Sequence, residues 1–87
     1  MSSTSSPSDW QVLHLRVTAD ADPGALARVI ERFQHLNLVP RRVLAKWATT
    51  DTLHIEVEIA DLSEERLAII TARLNQSPAI HNAYWHR

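Results

Sequence analysis

The sequence has no cysteine among its 87 residues, which excludes disulfide bonds, thiolate nucleophiles and cysteine-ligated metal clusters. It has no excess of either charge: nine basic and ten acidic residues give a formal net charge of −1. That balance provides no electrostatic footprint for nucleic acid, and no apolar run is long enough to span a membrane. We therefore expect a cytoplasmic domain with neither nucleic acid nor membrane as a partner, one that binds or regulates and does not catalyse.

The remaining composition is that of one small globular domain. Apolar residues make up 45% and charged residues 22% of the chain, which is ordinary for a folded protein. Residues 1–9 are polar and serine-rich, so they are predicted to be a disordered leader because they offer nothing to bury. The ordered domain is predicted to span residues 10–87, beginning at Trp10.

The first half of the domain predicts a strand followed by an amphipathic helix. The inward-facing residues of the strand are Leu13, Leu15 and Val17. Asp22 suits the N-cap and Pro23 the first helical position, where a missing N–H is harmless. The apolar stripe of the helix consists of Leu26, Val29, Ile30 and Phe33. Asn37 is expected to end the helix in the left-handed conformation that glycine usually adopts.

The second half predicts a hairpin, a helix and a final strand. Residues 38–49 form a basic strand whose apolar register is Val39, Val43, Ala45 and Trp47. Pro40 favours an edge position for this strand, and residues 52–59 alternate cleanly as its partner. Ser63 can cap a helix that ends near Asn75, and residues 80–86 form the last strand. The order predicts an α+β, ferredoxin-like βαββαβ sandwich, a four-stranded antiparallel sheet with both helices on one face.

Residues with catalytic or metal-binding potential form no convincing site. His14 and His54 are interpreted as cross-strand neighbours on the open sheet face, where an ordinary polar pair is far more common than a metal site. Glu56 and Glu58 on the same face are typical of a solvated surface and would repel the phosphates of RNA. We expect no metal, no cofactor and no catalytic residue.

The turn at Asp22-Pro23-Gly24 contains the only glycine of the chain. Two interpretations remain open. Proline and glycine are typical of a tight turn, which needs no further explanation. Alternatively, a glycine at the start of a helix leaves backbone N–H groups accessible to a small carboxylate.

Residues 22–33 (DPGALARVIERF) resemble the opening of an ACT domain, in which a strand is followed by (D)-x-P-G-x-L-x-x-V and a short helix. Residues 67–77 (LAIITARLNQS) resemble a segment of the small regulatory subunit of acetolactate synthase. The resemblance implies a non-catalytic regulatory domain that binds an amino acid or small metabolite between two copies. It also implies a homodimer, with a catalytic subunit of amino-acid biosynthesis as a possible partner and a branched-chain amino acid as a possible ligand.

The resemblance also assigns a ligand site, with the backbone of Gly24 as the central contact. The residues assigned to it are Asp22, Pro23, Gly24, Ala25, Leu26, Val39 and Pro40. Ala21 and Val39 stand where family members carry polar side chains, so we expect weak binding of free amino acids. The alternative is a protein-interaction or dimerisation module that binds no ligand.

Overall fold

The computed structural model describes residues 12–87, so the predicted leader at 1–9 and the predicted first ordered residue, Trp10, lie outside the described residues. Four strands and two helices alternate in the predicted order. They are β1 (Leu13–Asp20), α1 (Pro23–His35), β2 (Arg42–Thr49), β3 (Thr52–Ile59), α2 (Glu64–Asn75) and β4 (Ile80–His86).

The strands form one antiparallel sheet in the order β2-β3-β1-β4. In the central pair, Leu15 lies opposite Val57 and Val17 opposite Ile55, so the buried side chains of both strands share one face. Phe33 of α1 and Leu67 of α2 are buried in the same apolar cluster. The predicted ferredoxin-like sandwich is therefore confirmed.

Helix α1 begins and ends where its sequence indicates. Asp22 occupies the N-cap and Pro23 the first turn, although the Asp22 side chain accepts no capping hydrogen bond. At the other end, Asn37 has a φ of 56°. The N–H of Asn37 donates to the carbonyl of Gln34 and the N–H of Leu38 to that of Phe33, the bonding pattern of a Schellman motif. The predicted left-handed end at Asn37 is confirmed.

Helix α2 is capped as expected, because the Ser63 hydroxyl accepts a hydrogen bond from the Arg66 N–H at 3.2 Å. The C-terminal residue Arg87 is bound to Glu64 in the first turn of this helix. The hydrogen bond from Arg87 to Glu64, together with the charge of that carboxylate, raises the pKa of the guanidinium above its ordinary value. The end of the chain is thereby held against α2.

Two predictions from local pattern are wrong in detail. Strand β2 begins at Arg42 and not at residue 38, and the residue before it, Arg41, donates its N–H to the Glu58 carbonyl at 2.8 Å. The histidines predicted to be neighbours are not: His54 lies opposite Thr18, four residues from His14 along β1. Alternation sets which face a residue occupies, but the pairing register decides its neighbour.

Candidate functional site

The turn between β1 and α1 is held by backbone hydrogen bonds at the end of the sheet. The N–H groups of Ala21 and Asp22 donate to the carbonyls of Asp51 and Asp20 at 2.9 and 2.8 Å. The N–H of Ala25 donates to the Asp22 carbonyl at 2.9 Å. The bond to Asp51 places this turn beside the hairpin that joins β2 to β3.

Gly24 occupies the second position of α1 and does not have a positive φ, as expected from its place in the helix. No hydrogen bond among the described residues engages its N–H. A Cβ added at Gly24 would lie 2.9 Å from Oδ2 of Asp22, so the carboxylate of that exposed residue stands over the glycine. The turn therefore presents one open backbone donor with a negative charge beside it.

The other two assigned residues, Val39 and Pro40, lie at the far end of the same helix. They follow α1 and precede β2, whereas Gly24 begins α1, and a 13-residue helix is about 20 Å long. Val39 is 90% exposed. One chain thus brings Asp22, Pro23, Ala25 and Leu26 together around Gly24 but leaves Val39 and Pro40 remote from them.

Strand β2 is an edge strand that is exposed along its whole length. Its residues Val43 and Trp47 lie opposite Val57 and Leu53, on the face of the sheet that carries the helices. They nevertheless remain 38% and 67% exposed, because no helix of the described chain covers this edge. Apolar side chains on an open strand edge are typical of a surface that pairs with another chain.

Helix α1 adds a residue to this exposed surface. Arg32 faces α2 across the cleft between the helices, and Ile30, two residues earlier, is about 200° away round the helix. Ile30 therefore lies on the side of α1 turned away from α2, and it is 39% exposed. We call Ile30, Val43 and Trp47 the edge surface. The sequence pattern places Ile30 in the apolar stripe of α1, but in the structure this side chain is partly exposed because no other element of the described chain covers that side of the helix.

The opposite face of the sheet carries polar side chains, and two ion pairs join its neighbouring strands. Nη1 of Arg16 lies 3.4 Å from Oε2 of Glu56, and Nη1 of Arg42 lies 3.5 Å from Oε2 of Glu58. The ring of His14 stacks on that of His86, with 5.0 Å between the centroids. Among residues 12–87 no group of three or more potential ligands is placed to hold a metal ion.

Residues 7–81 match the ACT-like domain family. No curated protein matches the chain in sequence. Within residues 12–87, no helix has the length and apolar character needed to cross a membrane.

Solved structures of several proteins share the fold. The ACT domain of GTP pyrophosphokinase from Chlorobium tepidum superposes with a TM-score of 0.73 at 9% identity, covering 88% of this chain and 99% of that one. The C-terminal domain of MgtC from Mycobacterium tuberculosis superposes with a TM-score of 0.71 at 16% identity, covering 88% of this chain and 86% of that one. The regulatory subunit of aspartate kinase from Thermus thermophilus superposes with a TM-score of 0.63 at 14% identity, covering 91% of this chain and 52% of that one. The family match spans most of the chain and agrees with the observed fold: the chain belongs to the ACT-like domain family.

Proposed function

We propose that this chain is a non-catalytic regulatory domain that forms a homodimer and binds an amino acid or small metabolite between its two copies. The observation that carries the proposal is the edge surface, in which Val43 and Trp47 lie exposed on the helix side of the sheet and Ile30 of α1 is exposed beside them. A second copy paired along β2 would remove that surface from water and complete the hydrogen bonding of the edge.

The separation of the assigned ligand residues supports this arrangement. If two β2 strands pair antiparallel about a two-fold axis, the Thr49 end of one strand lies beside the Arg42 end of the other. The Gly24 turn is linked to the Thr49 end through the bond from Ala21 to Asp51. Pro40 lies just before Arg42. Such a two-fold axis would bring Gly24 of one copy and Pro40 of the other to the same end of the joined sheet.

We further propose that the domain regulates a catalytic subunit of amino-acid biosynthesis in the manner of an acetolactate synthase small subunit. A branched-chain amino acid is the ligand to test first. The open N–H of Gly24 supports carboxylate binding, whereas the carboxylate of Asp22 opposes it.

A second candidate function is an interaction or dimerisation module that binds no ligand. It is favoured by Ala21 and Val39, which supply no polar side chain to hold the ammonium and carboxylate of an amino acid. Both candidates share the edge surface and the dimer, so the ligand is what separates them.

Two measurements test the proposal. Light scattering of the full chain at high micromolar concentration should give the mass of a dimer, and a monomeric mass would overturn the homodimer. Thermal unfolding in millimolar valine, leucine or isoleucine should then show a raised melting temperature, because a ligand that binds only the folded state stabilises it. A dimer with no thermal shift in any of the three would replace the ligand-binding function with the interaction module.

A further inference from the structure

A cleft of about 370 Å³ lies between the two helices, on the side of α1 opposite the edge surface. Its walls include three arginines, one from the last turn of α1 and two from α2: Arg32, Arg66 and Arg73. His35 is a further basic residue of the wall, and no acidic side chain lines the cleft. Like charges gathered around a concavity focus a positive potential into it.

These arginines are not neutralised within the described chain. The described ion pairs engage Arg16, Arg42, His81 and Arg87, and none involves the three arginines of the cleft. Arg32 is half-buried, and the other two are exposed. Their guanidinium groups are therefore available to an anion, for which their planar fork of donors is well suited.

Helix electrostatics explains only part of this arrangement. Arg32 and Arg73 stand in the last turns of their helices, where the helix dipole stabilises a positive charge. Arg66 stands in the first turn of α2, three residues after the N-cap Ser63, where the dipole disfavours a cation. The charge of Arg66 is thus placed against the local preference and toward the other two arginines.

The remaining lining of the cleft is apolar. Leu36 and Ile70 contribute to it, with Ile69 beside them, 55% exposed. A site with cationic walls and apolar patches selects a molecule that has both an anionic and an apolar part. The volume is that of a small-molecule site, and its concave shape is unlike the flatter surface that a folded protein partner would contact.

We propose that the cleft between α1 and α2 binds a small organic phosphate, an anion with two or more negative charges and an apolar or aromatic portion. This ligand site is separate from the dimer and from the Gly24 turn. Because Ile30 and Arg32 lie on different sides of α1, pairing along β2 would leave the cleft open. The two sites could then regulate one assembly independently.

The test is a calorimetric titration of the full chain at low ionic strength with three probes: ATP, pyrophosphate and inorganic phosphate. ATP should bind most tightly, because its base can contact the apolar lining, and raising the salt concentration should weaken all three. Arg66→Gln and Arg73→Gln should each weaken ATP binding about tenfold or more, since each removes a charge-assisted hydrogen bond. Circular dichroism and melting temperature confirm that both variants remain folded.

Arg41→Gln is the matched control, because it makes the same change in net charge at an exposed arginine beside Pro40 that does not line the cleft. Unchanged ATP affinity in this variant supports the cleft. Equal weakening of ATP binding in all three variants would mean that the affinity depends only on the net charge of the chain, and would overturn the proposal. Loss of ATP binding only in Arg41→Gln would assign the anion to the site between Gly24 of one copy and Pro40 of the other, and would overturn the proposal. Absence of binding by all three probes would also overturn it, as would binding of octaglutamate, titrated in a separate run, by a chain that does not bind ATP.

Discussion

The side chain of Asn75 pairs with the backbone of Ala83 through two hydrogen bonds of 2.8 Å, one donated by the Asn75 amide and one by the Ala83 N–H. Asn75 is the last residue of α2, and Ala83 lies in the middle of β4, the edge strand opposite β2. The asparagine amide thus occupies the place that a fifth strand would take. The β4 edge is blocked in this way, while β2 remains open, and this asymmetry directs pairing to β2.

We predict that Asn75→Ala lowers the free energy of unfolding by about 1–3 kcal/mol, because it leaves a part-buried N–H and carbonyl without partners. Urea denaturation followed by circular dichroism measures the loss. Gln76→Ala is the control at the next position, since Gln76 is exposed and its side chain makes no hydrogen bond within residues 12–87. Equal stability of the two variants would mean that the Asn75–Ala83 pairing contributes nothing.

We predict that Trp47→Glu weakens self-association at least about tenfold, because pairing along β2 would have to desolvate the new carboxylate. Sedimentation equilibrium measures the dissociation constant. Tyr84→Glu is the control, as Tyr84 is a 50% exposed aromatic residue on the β4 edge. A dimer that survives Trp47→Glu but dissociates in Tyr84→Glu would place the interface on β4 and contradict pairing along β2.

We predict that Gly24→Ala keeps the fold and changes stability by no more than about 1 kcal/mol, since alanine favours a helix and Gly24 has no positive φ. The new methyl group requires the flexible Asp22 carboxylate to move from its position 2.9 Å away. The variant should lose the thermal shift that branched-chain amino acids produce in the wild type.

Asp22→Ser provides the control for this contact, because serine keeps an N-cap residue but removes the carboxylate. If Gly24→Ala is destabilising alone and neutral in combination with Asp22→Ser, the cost comes from the carboxylate. A thermal shift that Gly24→Ala leaves unchanged would argue that this glycine serves only the turn.

We predict opposite effects for two substitutions at Asn37, whose φ of 56° favours glycine. Asn37→Gly should maintain or slightly raise the melting temperature, whereas Asn37→Ala should cost about 1 kcal/mol because a Cβ strains the left-handed conformation. Thermal unfolding of both variants with the wild type checks the pair. Identical melting temperatures would contradict the strain at this position.

The elements that depend on local pattern were predictable from the sequence. The first-turn proline and Asn37 mark the ends of α1, and Ser63 marks the beginning of α2, because caps and turns are determined by neighbouring residues. The alternation of Leu53 to Ile59 likewise predicted a strand correctly.

What depends on contacts distant in sequence could not be predicted in this way. The pairing of His14 with His86, and the bonds between Asn75 and Ala83, require the register of strands that are far apart along the chain. The exposure of Ile30 depends on where β2 lies relative to α1, which helical periodicity does not specify. The division of the assigned site between the two ends of α1 follows from the predicted helix between Gly24 and Asn37, whereas the open edge of β2 is visible only in the structure.

That division has a genetic consequence. In a two-fold assembly each ligand site would take its Gly24 turn from one copy and its Pro40 segment from the other. A chain defective at Gly24, mixed with a chain defective at Pro40, would then form heterodimers in which one site combines both defects and the other combines neither. Two alleles that are each inactive alone would complement one another, restoring about half of the sites in each mixed dimer.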